Sequence, residues 1–134
     1  MEASVKRIEV EISPGELLDK LTILDIKSER ISDPIKLANV RTEISTLTAS
    51  RERAIPDSSG LADLRRQLKQ VNEKLWNIED EIRLCERDRD FGARFIELAR
   101  SVYRHNDRRA AIKRQINELL GSKLIEEKDY AKYE

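Results

Sequence analysis

Between residues 101 and 117 the sequence reads SVYRHNDRRAAIKRQIN, and polar side chains interrupt an apolar rhythm there. Phe91, Phe95, Leu98 and Val102 set a three-four spacing whose next positions, 105 and 109, hold His105 and Arg109 before the stripe resumes at Ile112 and Ile116. A guanidinium on the apolar seam of a helix is costly unless a carboxylate meets it. Its forked donors suit carboxylates and phosphates. Acids of the right kind stand in an earlier periodic segment: Asp19 lies within the Leu17, Leu18, Leu21 run and Asp25 between Leu24 and Ile26. Lys20 and Lys27, seven residues apart, share one face of that segment. If it docks on the interrupted seam, Asp19, Lys20, Lys27, His105, Asn106, Arg109 and Lys113 form a candidate pocket for a small anion, of the kind helical bundles build from inward-facing polar side chains.

The competing interpretation is a solvated basic face. Arg100, Arg104, Arg108, Arg109, Lys113 and Arg114 would then be interleaved with acids from neighbouring helices. Other chemistries lack their residues. His105 is the only histidine and Cys85 the only cysteine, so no two-histidine or cysteine-based metal site is expected, nor any disulfide within the chain. Neither a phosphate-binding glycine loop nor a zinc-protease string occurs, and no cofactor and no catalytic residue is assigned. Cys85 falls on an apolar seam and reads as an inert core thiol.

The elements that must position these residues are helical. Four glycines and three prolines among 134 residues, with abundant Glu, Lys, Arg, Leu and Ile, describe an all-α, antiparallel bundle in a single domain over residues 1–134. Charged residues make up 39% of the chain, but Lys and Arg (26) balance Asp and Glu (26). No net field draws it to nucleic acid, and Tyr103 is the only aromatic residue interleaved with the basic run. No stretch approaches the ~20 apolar residues of a membrane span, and no apolar leader opens the chain; a cytoplasmic protein without membrane insertion is expected.

Residues 5–12, VKRIEVEI, alternate with period two and predict a short strand, paired with the SKLIEEK stretch or with a second copy of the chain. SPGE at 13–16 then marks a helix start, with Ser13 as cap, Pro14 in the first turn and Glu16 able to close a capping box. That helix covers about 14–31. SDP at 32–34 opens a second, about 34–53, after either a kink or a full reversal. AIPDSSG, residues 54–60, is a loop. Leu61, Leu64, Leu68, Val71, Leu75, Ile78, Ile82 and Cys85 fill successive three-four positions of a third helix, about 61–88, roughly 40 Å long at ~1.5 Å per residue. RDRD makes a turn in which Asp90 could cap a fourth helix, about 91–120, that stops at Gly121. A tail follows over 122–134. A turn centred near residue 88 makes a long antiparallel hairpin in which positions summing to about 177 face each other, placing Arg109 opposite Leu68 and His105 near Asn72. Trp76 lies one position off the seam and needs a surface outside the hairpin, from the first two helices or a second chain.

SPGELLDKLTILDIKSERI, LWNIEDEIR, FIELARSVYRHNDRRAAIKRQIN and the terminal EEKDY together resemble an uncharacterised family of short bacterial proteins, a domain of unknown function. The resemblance spans nearly the whole chain. Its pattern includes Asp19, Lys20, Lys27, Trp76, Asn106, Asp107, Arg109 and Lys113, but it brings no activity and therefore no catalytic residue. Its members are encoded near genes for cell-surface carbohydrate synthesis, which implies an accessory role in bacterial cytoplasm. Two functions are thus expected to compete. One is a non-catalytic helical interaction or small-anion-binding module, a homodimer through the Trp76 face or the N-terminal strand. The other is a small all-helical enzyme of mutase or lyase type, in which Arg and Lys clamp a dicarboxylate; the spacing of Lys20, Lys27 and Arg30 resembles the all-helical chorismate mutases.

Overall fold

Short polar side chains start three of the helices. In the computed structural model, which describes residues 3–134, Ser13 Oγ accepts the Glu16 N–H at 3.2 Å and opens α1 (Pro14–Arg30). Asp33 Oδ1 accepts the Ile35 N–H at 2.9 Å and opens α2 (Pro34–Ala54). Ser58 Oγ accepts the Leu61 N–H at 3.1 Å and opens α3 (Ser59–Arg87), two residues earlier than the apolar pattern suggests. Each cap satisfies a backbone donor that a helix start leaves orphaned. The capping box is only half built, because the Glu16 carboxylate is taken by Lys113 instead.

The fourth helix, α4 (Ala93–Leu119), starts without a side-chain cap. Asp90 does not cap it: its Oδ1 accepts the Gly92 N–H at 3.1 Å and tightens the turn, in which Arg89 takes a left-handed φ of 53°. At the other end Gly121, at φ 65°, completes a Schellman stop, with the Gly121 N–H on the Glu118 carbonyl and the Ser122 N–H on the Asn117 carbonyl.

α3 and α4 pair as an antiparallel hairpin, and α1 lies against both. The core is the apolar cluster they share: Leu17, Leu18 and Leu21 from α1, Leu61, Leu68 and Val71 from α3, Ile112 and Ile116 from α4. Each such side chain, fully buried, is worth roughly 1.5–3 kcal/mol against exposure to water. Leu47 and Ile55, at the far end of α2, reach this same cluster beside the beginning of α1. The SDP corner is therefore a full reversal. The backbone of α2 comes close to that of α1 alone among the helices, and α2 buries only Val40.

The strand expected over 5–12 is absent: residues 3–12 form neither helix nor strand, and no strand occurs among the described residues. Val5 and Ile8 stand 89% and 79% exposed. An alternating segment makes a strand only where a ladder partner exists, and the SKLIEEK stretch is drawn onto α4 by its charges instead.

One glycine sets how closely α1 approaches α4. The Gly15 N–H donates to Asn117 Oδ1 at 2.7 Å, and a Cβ at position 15 would lie 2.5 Å from the Lys113 carbonyl oxygen. Gly15→Ala must therefore push the start of α1 off α4. We expect a loss of about 1–3 kcal/mol in urea denaturation at an unchanged slope; stability equal to wild type would show that the approach is not tight.

Candidate functional site

The close approach at Gly15 puts the next turns of α1 in register with α4. Glu16 meets Lys113, whose Nζ donates to Glu16 Oε2 at 2.7 Å, and one turn further Asp19 meets Arg109. Asp19 is buried, with 1% of its surface exposed. Arg109 grips it with two donors: Nε reaches Asp19 Oδ1 at 2.9 Å and Nη2 reaches Oδ2. Asn72 Nδ2 donates to the same Oδ1 at 2.9 Å and to Thr22 Oγ1 at 2.9 Å, while the Thr22 hydroxyl donates to the Asp19 carbonyl at 2.8 Å. Four side chains from three helices thus close one hydrogen-bonded cluster around a single carboxylate.

The cluster's electrostatics follow from that geometry. The Asp19 hydrogen bond holds the Arg109 guanidinium above its ordinary range, outweighing a burial that pulls the other way. Burial is the largest influence on Lys113 and favours its neutral form, but the hydrogen bonds it donates to Glu16 and Glu126, with the charges of Glu16 and Asp19, together outweigh it and leave the ammonium raised above its usual 10.5. A raised cation stabilises the fold fully below its unfolded value and loses that contribution only as pH climbs through the higher folded one. Arg109 and Lys113 therefore keep their charge throughout the neutral range.

Arg109 is where the structure departs from a closed ion pair. Its side chain remains 30% exposed, and Nη1 has no hydrogen-bond partner among the described residues. Two open grooves flank it. One, about 430 Å³, runs between α4 and the chain after it, lined by Asn106, Asp107, Arg109, Lys113, Glu126 and Lys128 among others. The other, about 500 Å³, lies between α1 and the hairpin, with Ile23, Ile26, Leu75 and Trp76 as its apolar wall. Asn106 and Arg109 form the partition between them.

Not every residue of the expected pocket arrives. Asn106, Arg109 and Lys113, at i, i+3 and i+7, share one face of α4 with Asp19 behind them. Lys20 is exposed, its Nζ 3.7 Å from Glu16 Oε1, and Lys27 lines neither groove. The reason is rotation: each residue advances about 100° around a helix, so the turn that buries Asp19 carries Lys20 out to water. His105 Nδ1–H donates to the Ser101 carbonyl at 2.8 Å and stays within its own helix.

The facing rule also needs correcting. The turn spans residues 88–92 and centres on 90, so facing positions sum to about 180 rather than 177. Arg109 consequently sits beside Asn72 through their shared carboxylate oxygen, and His105 does not. Trp76 finds its surface on α1, lining the second groove with Ile23 and Ile26 while the Arg30 guanidinium lies 5.9 Å over its ring.

Several partners escaped sequence reasoning. Thr22 was legible in principle, one turn from Asp19, and Asn72 stands next to the seam residue Val71. Glu126, Lys128 and Tyr133 had no periodicity to place them. The Asp107 carboxylate is held below its usual 3.8 by the Tyr133 hydroxyl, 2.7 Å away, and by Lys128 at 3.4 Å. Among the described residues no group of three or more His, Cys, Asp or Glu is placed to hold a metal ion, and no helix is long and apolar enough to cross a membrane.

In comparisons with known proteins, the profile of a family of unknown function (DUF6165) matches residues 8–133. Neither a curated protein nor a solved structure matches the chain.

Two outcomes test the site's geometry. Asp19→Ala leaves a half-buried guanidinium without its counter-charge and one of the two Asn72 amide N–H groups without its acceptor, and is expected to cost about 3–5 kcal/mol, whereas the joint change Asp19→Leu with Arg109→Met recovers much of that loss; equal stabilities in thermal unfolding would refute the cluster. Asp107, whose folded value is depressed, stabilises the Tyr133 contact above pH 3.8, and this is lost as pH falls through the folded value. The Tyr133 ring should part from Tyr103 below that point, read as a lost ring–ring contact in NMR, while the α3 amides stay protected from exchange.

Proposed function

The chain belongs to this family of unknown function, and on that premise we propose that it is a non-catalytic helical module that takes a small oxyanion on the Asn106, Arg109, Lys113 face of α4. One observation carries this: Asp19 occupies one edge of the Arg109 fork and orients it, leaving Nη1 without a hydrogen bond to any described residue on a side chain that lines an open groove. A guanidinium held in place by a buried carboxylate loses little freedom on binding, which favours recognition of a phosphate or carboxylate group. The Asn106 amide, with no hydrogen bond to any described residue, stands one turn away, and the Lys113 ammonium closes the row.

A dicarboxylate clamp of mutase or lyase type would draw on Lys20 and Lys27 as well as Arg109. Neither lysine lines the grooves, so the geometry favours binding over that chemistry. An accessory role in cell-surface carbohydrate metabolism is what the family resemblance adds, and it is compatible with a phosphorylated ligand. Self-association is the second reading, favoured by Val5, Ile8 and Val10 standing in water. Light scattering at micromolar concentration should then give twice the chain mass, and a monomer mass overturns it.

Calorimetry with inorganic phosphate and with succinate tests the anion site. Wild type is expected to bind at least one of them at a single site. Asn106→Ala should weaken binding about three- to tenfold through one lost hydrogen bond, and Arg109→Lys should weaken it further by removing the fork. Absence of binding to wild type overturns the proposal.

A further inference from the structure

The groove beside Arg109 has one wall that is not part of the helical bundle. Beyond Gly121 the chain turns back and runs along the outside of α4. Glu126 reaches Lys113 Nζ at 2.9 Å, Glu127 reaches Arg114 at 3.1 Å, Lys128 reaches Asp107 at 3.4 Å, and the Tyr133 hydroxyl donates to Asp107 at 2.7 Å. The Tyr133 ring ends this strap edge-on against Tyr103, 5.0 Å between centroids. Residues 126–134 are all exposed. Charge pairs at the surface hold the strap, and such pairs are weak and screened by salt.

Glu126 alone among the strap's glutamates lines this groove. Its carboxylate rests on the Lys113 ammonium, whose other partner is Glu16 at the α1 side. A carboxylate on that ammonium is chemically the same kind of group that the groove is read as receiving. Resting on the anion-site reading above, we propose that the C-terminal strap is a built-in competitor for that site: Glu126 occupies its Lys113 end, and an incoming oxyanion must displace it. Glu127 provides an internal comparison. It lies one residue away with the same charge, but it pairs with Arg114 and does not line the Arg109 groove.

The test is calorimetry of the full chain with inorganic phosphate at fixed ionic strength, on wild type, Glu126→Gln and Glu127→Gln. Tryptic cleavage after Lys123 and Lys128 is followed with and without phosphate. A tethered carboxylate acts at an effective concentration on the order of millimolar, so Glu126→Gln should tighten phosphate binding about three- to tenfold. Glu127→Gln should change it by less than about twofold, and phosphate should speed cleavage of the strap in wild type. Equal affinity in wild type and Glu126→Gln, or equal tightening in both variants, overturns the competitor while leaving the anion site standing. Absence of phosphate binding in all three proteins overturns the phosphate site and the competitor with it.

Discussion

Asp19 is an acid with almost none of its surface in water, and the rest of the structure is arranged around meeting that charge. A carboxylate so placed requires a cation and further donors in fixed positions, because attraction alone does not repay the lost hydration. Arg109 supplies the cation from α4, Asn72 supplies a neutral donor from α3, and Thr22 anchors Asn72 from the same turn of α1. Three helices are thereby committed to one register. A one-residue shift of α1 that carried Asp19 to the exposed place of Lys20 would set Leu18 against Arg109, so the cluster specifies the docking that the apolar layers alone would tolerate in several positions.

The same commitment explains why Gly15 and Asn117 matter. The Asp19 and Arg109 side chains meet only if the two helix axes come close near the start of α1, and a residue without a Cβ permits that approach. Asn117, itself buried, receives the Gly15 N–H that a helix start otherwise leaves unpaired. Packing, capping and charge pairing at this end of the bundle form one linked arrangement: Ser13 caps, Gly15 admits contact, Glu16 and Asp19 pair.

Much of this was legible in the sequence where the physics is local. The Ser13 cap, the cap-then-proline start at SDP, the seam of α3, the Gly121 stop and the all-α class follow from spacing and residue type, whereas the Ser58 cap lies inside a stretch that reads as loop and Asp90, which reads as a cap, is not one. The need of Arg109 for a carboxylate on the first helix followed from the cost of burying charge, and Asp19 was one of two candidates. What the sequence hid depends on distance in the chain. A difference of two residues in the centre of the hairpin turn shifts every facing pair and moves Asn72 from His105 to Arg109. The face that Lys20 and Lys27 share is set by helical spacing, which does not say which side of the helix turns inward. The 5–12 segment has the period of a strand, but a period says nothing about whether a ladder partner exists. The strap was invisible because isolated ion pairs leave no periodic trace.

The packing of α2 has a further consequence. Since the backbone of α2 comes close to α1 and to neither helix of the long hairpin, the chain divides into two helical hairpins, residues 14–54 and 59–119, connected by a short loop and joined mainly through α1. Each hairpin is made of contacts local in sequence, the kind that form early, whereas the seam between them is long-range and closes last. Folding should therefore end with the docking of one preformed hairpin on another. In such a hierarchy the polar cluster behaves less like a bolt through a finished core than like the key that decides whether the final docking step has occurred in the right register.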